Sequence, residues 1–325
     1  MTIKFDNPLL RLPIRFDVEA LQAEVRALPR HAWVPHPNHF PGNDAVRLIT
    51  SRGEPSDVFD GVMAPTEFLG MCPYVMEIMA ELGGVWGRSR LMGLAPGAEV
   101  PAHIDSHYYW RTHLRIHIPV ITNPGVEFTC GGETVHMQAG ECWVFDSFRR
   151  HEVHNRGSEH RVHLVLDTVG GGRLWDLVQS ADSGSPAPAE EFLEPGSRPP
   201  GPLLFEQLNS PRIMSPWEIR CHVDMITAMA LPDPLLQPLT QLLDRFIYEW
   251  GALWSVHGTS AGGVPAYRKL LGETAARLTE LRGEKLMLKN DVLFYHVLER
   301  LVFENAISHD AMGEAARSRL QRVAS

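Results

Sequence analysis

The chain has 325 residues, 44% of them apolar and 21% charged, with a net charge of −9. That length supports one large domain or two smaller ones, and no apolar run approaches the roughly eighteen residues that a membrane-spanning helix needs. The acidic balance and the lack of a basic run argue against nucleic acid or a membrane surface as partner, which leaves small molecules and proteins.

In chain order, "MTIKFDNPLLRLPIRFDVEAL" places acidic residues and prolines where an export signal needs an apolar core, so a cytoplasmic location is expected. Apolar residues then recur at helical intervals in "FDVEALQAEVRALP" and "APTEFLGMCPYVMEIMAELGG", which read as supporting helices. From about 86 to 170 the period falls to two, between "PG", "CGGE" and "QAGE" turns, as in an antiparallel, hairpin-rich sheet or barrel. Ser180 to Pro202 is rich in Pro, Ser, Gly and acidic residues and reads as a linker. The expected division is therefore 1–180, a linker at 181–202, and 203–325 as a helical domain. Within the last part, "PLLQPLTQLLDRFIYEWGALWSVHG", "GVPAYRKLLGETAARLTELRG" and "KNDVLFYHVLERLVFENAI" show helical spacing with glycine stops. It gathers no catalytic cluster, and its apolar stripes predict packing against the barrel or a homodimer contact. Cys72, Cys130, Cys142 and Cys221 have no C-x-x-C spacing, so reduced core thiols are expected.

Chemistry concentrates in the β region, where nine of the sixteen histidines fall between His103 and His163. Read as a strand, "THLRIHIPV" turns Thr112, Leu114, Ile116 and Ile118 one way and His113, Arg115 and His117 the other. The second segment repeats this, with Val162, Leu164 and Leu166 opposite Arg161 and His163. A half-buried sheet facing solvent alternates in the same way, but its polar face favours Lys, Glu and Thr. A face of His and Arg fits a barrel with that face turned inward around a ligand. His103-x-Asp105, followed 46 residues later by His151, supplies two imidazoles and a carboxylate. Such a set takes one face of an octahedral metal, leaves the other open, and suits non-haem Fe(II). Arg161, ten residues beyond His151, adds a cation.

Together "LMGLAPGAEVPAHID", "LRIHIP", "GECWVFDSFRRHEVHN" and "HRVHLVLD" resemble the aspartyl/asparaginyl β-hydroxylase family, which includes related free-proline hydroxylases. The resemblance spans about Arg88 to Thr168. It implies an α+β protein built on a double-stranded β-helix (a jelly-roll, cupin-like core) with supporting helices and the C-terminal helical domain attached. It also implies Fe(II), 2-oxoglutarate and O2. Carried over by motif, His103, Asp105 and His151 are the metal ligands, with His151 preferred to His154. Arg161 grips the far carboxylate of 2-oxoglutarate, and Arg115 and His117 face the cosubstrate. Where related enzymes place a serine on the cosubstrate, this chain has Met92.

The implied activity is a dioxygenase coupling oxidative decarboxylation of 2-oxoglutarate to C–H hydroxylation of an amino acid or an aspartyl/asparaginyl-type residue. "HYYWR" (His107 to Arg111), Arg149, Arg150 and Arg156 are candidates for holding that substrate. His113, His136, His154, His160 and His163 are expected to be hydrogen-bonded neighbours or solvated side chains. Two alternatives stand beside this reading, a cupin-like metalloenzyme without 2-oxoglutarate and a noncatalytic small-molecule sensor. Arg161 separates the first, since a metal-only cupin needs no carboxylate clamp.

Overall fold

The computed structural model describes residues 7–37, 39–182, 189–197 and 201–323. Among them, the strands are β1 (Leu9–Phe16), β2 (Val34–Pro35), β3 (Asn43–Ser51), β4 (Met63–Pro65), β5 (Val85–Leu94), β6 (Glu99–His103), β7 (Leu114–Ile121), β8 (Val126–Cys130), β9 (Glu133–Val135), β10 (Glu141–Phe145), β11 (His151–Asn155), β12 (Arg161–Thr168), β13 (Glu191–Leu193) and β14 (Leu204–Phe205). The larger sheet runs β13-β1-β10-β7-β12-β5-β3-β2, with β14 on β5 and β4 on β3, and the smaller runs β6-β11-β8-β9. Between β5 and β12 the chain passes back and forth between the sheets, giving the orders β5-β12-β7-β10 and β6-β11-β8-β9. That is jelly-roll topology, so the core is a double-stranded β-helix and the whole is α+β, as expected.

The two faces of the larger sheet differ as the alternation predicts. Leu114, Ile116, Ile118 and Val120 of β7 join Val162, Leu164 and Leu166 of β12 in one buried core with residues of the helices. Those helices are α1 (Val18–Ala27), α2 (Glu67–Gly70), α3 (Pro73–Leu82) and α4 (Gly172–Asp182). Asp17 caps α1 by accepting from the Ala20 amide at 2.8 Å, and Leu21 and Val25 form its buried stripe. The second expected helix is broken in two at Cys72, because Pro73 starts a new helix without an amide hydrogen to offer the preceding turn. Gly83, at φ 64°, closes it in the left-handed region that glycine adopts most readily.

Two departures come from long-range pairing. β1 and β3 widen the sheet beyond the 86–170 region, and although "LLRLPIRF" alternates, only its partner β10 makes it a strand. The stretch expected as a linker contributes β13, which pairs in parallel with β1. There Leu193 is buried in the core. Residues 183–188 and 198–200 of that stretch lie outside the described residues.

The chain forms two compact units: one runs to Asp105 and resumes at Tyr109–Asn209, and the other combines Ser106–Tyr108 with the chain from Ser210 onward. The division thus falls at 209/210, not 180/203, because β14 pairs with β5. The second unit contains α5 (Pro216–Met229), α6 (Leu236–His257), α7 (Val264–Glu280), α8 (Phe294–Leu298) and α9 (His309–Val323). Its centre is Trp250, 4.4 Å from the Tyr267 ring and donating to the Met214 carbonyl at 2.9 Å. Helix α5, capped by Ser215, was not anticipated, and its Cys221 is exposed while the other three thiols are buried. Among the described residues, no helix is long and apolar enough to cross a membrane.

Candidate metal centre

Strands β6 and β11 are antiparallel neighbours in the smaller sheet, and their register sets His103 opposite His151. The two imidazoles lie 4.2 Å apart, centroid to centroid. Asp105 follows just past the end of β6, where its amide donates to the Ser147 carbonyl at 2.9 Å. That bond ties the carboxylate to the turn that delivers His151. One ligand atom from each of His103, Asp105 and His151 lies within 4.8 Å of the others. The first two residues are half-buried and His151 is buried, so the cluster opens on one side.

Both imidazoles are oriented in the same way. Nδ1 of His103 lies 2.8 Å from the Pro101 carbonyl, and Nδ1 of His151 lies 2.9 Å from the Arg149 carbonyl. A carbonyl only accepts, so each Nδ1 donates to it and Nε2 is the ring atom left to face a metal. His151 is further held by Phe145, whose ring meets it edge-on at 5.0 Å. Burial, partly opposed by Asp105, lowers the His151 pKa to about 4, so the ring is neutral near neutral pH.

On the inner face of the larger sheet, β12 projects Arg161, His163, Val165 and Asp167. The register sets His163 between Met92 of β5 and Pro119 of β7, and Asp167 opposite Arg115. Arg161 is 4% exposed, and its Nε and Nη2 have no hydrogen-bond partner among the described residues. Burial alone brings its pKa down to about 9. A buried guanidinium without a counterion is costly, and an anion is what satisfies it. His163 is similarly buried, with Nε2 unpartnered and Nδ1 3.5 Å from Nδ1 of His117. Burial, and then Arg161, push both imidazoles well below the ordinary histidine value, so both are neutral. Sequence reading had set His163 aside. Its signal was the i, i+2 spacing from Arg161, which fixes a shared strand face.

Arg115, expected on the cosubstrate, is paired with two aspartates. It forks onto Asp167 through Nε at 3.0 Å and Nη2 at 3.3 Å, and its Nη1 reaches Asp105 at 3.4 Å. Burial alone would depress this guanidinium, but Asp167 and Asp105 carry its pKa above the usual value. It therefore braces the Asp105 carboxylate.

The other candidates divide clearly. His154 pairs with Glu99 at 3.1 Å and is not in the ligand cluster. His136 meets the Val126 carbonyl, His160 pairs with Asp44, and His113 with the buried Glu206 at 2.6 Å. Arg149 bonds Asp146, the exposed Arg156 bonds Glu127, and Arg150 is exposed. Of "HYYWR", Tyr109 stacks on His113 at 3.6 Å, while Trp110 lies beneath Arg115 at 4.0 Å.

No curated protein sequence matches the chain. Among solved structures, it is similar to a 2OG-Fe(II) oxygenase family oxidoreductase from Burkholderia pseudomallei, with 16% identity, 48% of this chain and 79% of that chain covered, and a TM-score of 0.36. A Pseudomonas putida prolyl-4-hydroxylase shares 14% identity over 51% of this chain and 95% of its own, with a TM-score of 0.35. A cupin 2 conserved barrel protein from Salinispora arenicola shares 16% over 47% and 94%, at 0.26. At such scores the overlap is partial, and the fold rests on the strand order described above. Residues 59–170, which hold His103, Asp105, His151 and Arg161, match the model of the aspartyl/asparaginyl beta-hydroxylase family, the family that the motifs of this chain resemble.

Proposed function

We propose that the protein is an Fe(II)- and 2-oxoglutarate-dependent hydroxylase acting on an amino acid or an aspartyl/asparaginyl-type residue. The observation that carries this reading is the pairing of a His103–Asp105–His151 cluster with the orphaned guanidinium of Arg161 on the facing sheet. Two imidazoles and a carboxylate suit a ferrous ion and leave coordination positions open. The unpartnered Nε and Nη2 of Arg161, with Nε2 of His163, suit a carboxylate of the cosubstrate. When bound, Fe(II) with 2-oxoglutarate and O2 supplies oxidative decarboxylation to succinate and CO2 and transfer of one oxygen atom to a substrate C–H bond.

The chain's own groups bind and orient. The Pro101 and Arg149 carbonyls hold the tautomer of His103 and His151, and Arg115, anchored on Asp167, fixes Asp105. Phe128 and Phe145 pack beside His151 and restrict water on that side. A metal-only cupin leaves Arg161 without a purpose, and a sensor has no need of a cluster open on one side.

The test is anaerobic. Fe(II) and then 2-oxoglutarate are added, and the visible charge-transfer band of the chelate is read. Air is next admitted with a panel of amino acids and peptides, while succinate and the mass gain of one oxygen atom are followed. Metal binding without a 2-oxoglutarate-dependent band sinks the proposal.

A further inference from the structure

A second group of arginines lies on the inner face of the larger sheet, in the same compact unit. Arg47 of β3 and Arg90 of β5 are direct cross-strand partners, and Arg88 is two residues from Arg90 on the same face. Like charges set opposite one another destabilise a sheet. Burial adds to this, since Arg88 and Arg90 are 7% and 5% exposed.

One residue serves all three, its carboxylate two of them and its backbone carbonyl the third. Asp57, from the segment between β3 and β4, accepts from Arg47 Nε at 3.1 Å and from Arg47 Nη2. It also accepts from Arg90 Nη2 at 2.6 Å, and its backbone carbonyl takes Arg88 Nη1 at 2.9 Å. Among the described residues, the Nε atoms of Arg88 and Arg90 have no partner. The Arg88 guanidinium rests on the Phe59 ring at 3.9 Å, and Phe59 meets Trp110 edge-on at 5.7 Å. Trp110 in turn lies under Arg115, which touches the ligand Asp105. The arginine group is thus joined to the metal cluster through one aromatic wall.

A structural ion-pair network would match its charges. Here three arginines converge on the single Asp57. Asp57 is also the most accessible member of its cluster, its side chain 29% exposed against 5% for Arg90.

We propose that Arg47, Arg88 and Arg90 form a carboxylate-binding subsite, and that Asp57 occupies it as an internal stand-in until a carboxylic acid displaces it. That this acid is the molecule hydroxylated rests on the function proposed above; the subsite itself does not. Its ligand is a small molecule or residue with a free carboxylate, held by guanidinium forks against Phe59 and Trp110.

The test uses metal-free full-length protein, so its outcome is independent of Fe(II) and 2-oxoglutarate binding. Asp57→Ala leaves the arginines unpaired and should melt lower than wild type. Sodium acetate should then raise its midpoint by about 3–5 °C at concentrations about tenfold above Kd. Acetamide, and sodium chloride at equal ionic strength, should not. The acetate response should persist with Arg161→Met added and vanish with Arg90→Met added. If Asp57→Ala does not fold, Asp57→Asn keeps the shape and gives the same readout. Equal acetate shifts in wild type and variant, or a response that survives Arg90→Met, would overturn the proposal.

Discussion

Replacing Arg161 with methionine separates the metal from the cosubstrate. The variant keeps most of the side chain's volume and removes a guanidinium whose Nε and Nη2 have no partner among the described residues. Loss of one member of a buried, hydrogen-bonded charge pair costs about 2–5 kcal/mol in binding. That corresponds to a weakening of 2-oxoglutarate by about 30- to 4,000-fold. The metal cluster does not contact this residue, so its affinity should change little. Stability should move the other way. A base whose folded pKa is depressed, here from the ordinary arginine value to about 9, destabilises the fold while protonated. The penalty is complete below about 9 and fades as pH climbs toward the ordinary arginine value. Ligand-free Arg161→Met should therefore melt higher than wild type at neutral pH. Calorimetric titration of 2-oxoglutarate into Mn(II)-loaded protein, with a separate Mn(II) titration and thermal melts, reads all three quantities. Unchanged cosubstrate affinity, or a parallel fall in metal affinity, would refute the reasoning.

His103→Ala and His151→Ala should abolish stoichiometric metal binding, measured by dialysis and metal analysis, since each removes an oriented Nε2. His163→Phe should weaken 2-oxoglutarate by about 2- to 12-fold, the worth of one hydrogen bond, with metal affinity unchanged in the same titrations. Asp167→Asn frees Arg115 from its anchor and should lower metal affinity by about 10- to 100-fold without touching a ligand; identical metal titrations for variant and wild type would remove Arg115 from the site's support. A chain cut after residue 180 loses β13, β14 and Glu206, the partner of His113, and should be less soluble and lower-melting than one cut after residue 209.

The sequence made the barrel legible because alternation reports a strand's two faces directly. Leu114, Ile116 and Ile118 on one side and Arg115 and His117 on the other is a pattern that survives any tertiary detail. The cluster of His103, Asp105 and His151 was legible for a related reason, since these residues combine residue type with a fixed order. What alternation cannot report is the partner across the sheet. Arg115 and Arg161 read alike in sequence, each an inward arginine two residues before a histidine, yet only Arg115 has aspartates within reach. The difference lies in register, which sets Asp167 opposite Arg115 and leaves Arg161 opposite Leu94. Arg47 and Asp57 were missed for the same reason, because β3 joins the sheet only through its pairing with β5.

Register also explains why this protein should depend on its ligands for stability. Unpartnered nitrogens on Arg161, His163, Arg88 and Arg90 are gathered on one inner face, and each buried unsatisfied donor costs about 1–3 kcal/mol. That cost is offset by the core on the opposite face, where Leu114, Ile116, Ile118, Val162, Leu164 and Leu166 are all at most 2% exposed. A carboxylate at Arg161 returns part of the cost as binding energy, so the melting point should rise with cosubstrate concentration as RT ln(1 + [L]/Kd). Without metal, 2-oxoglutarate keeps only its Arg161 end, and the rise should be small. With Mn(II) bound, both ends of the molecule are held and the rise should be larger. Metal-independent stabilisation by 2-oxoglutarate would mean that Arg161 and the His103–Asp105–His151 cluster do not serve one ligand.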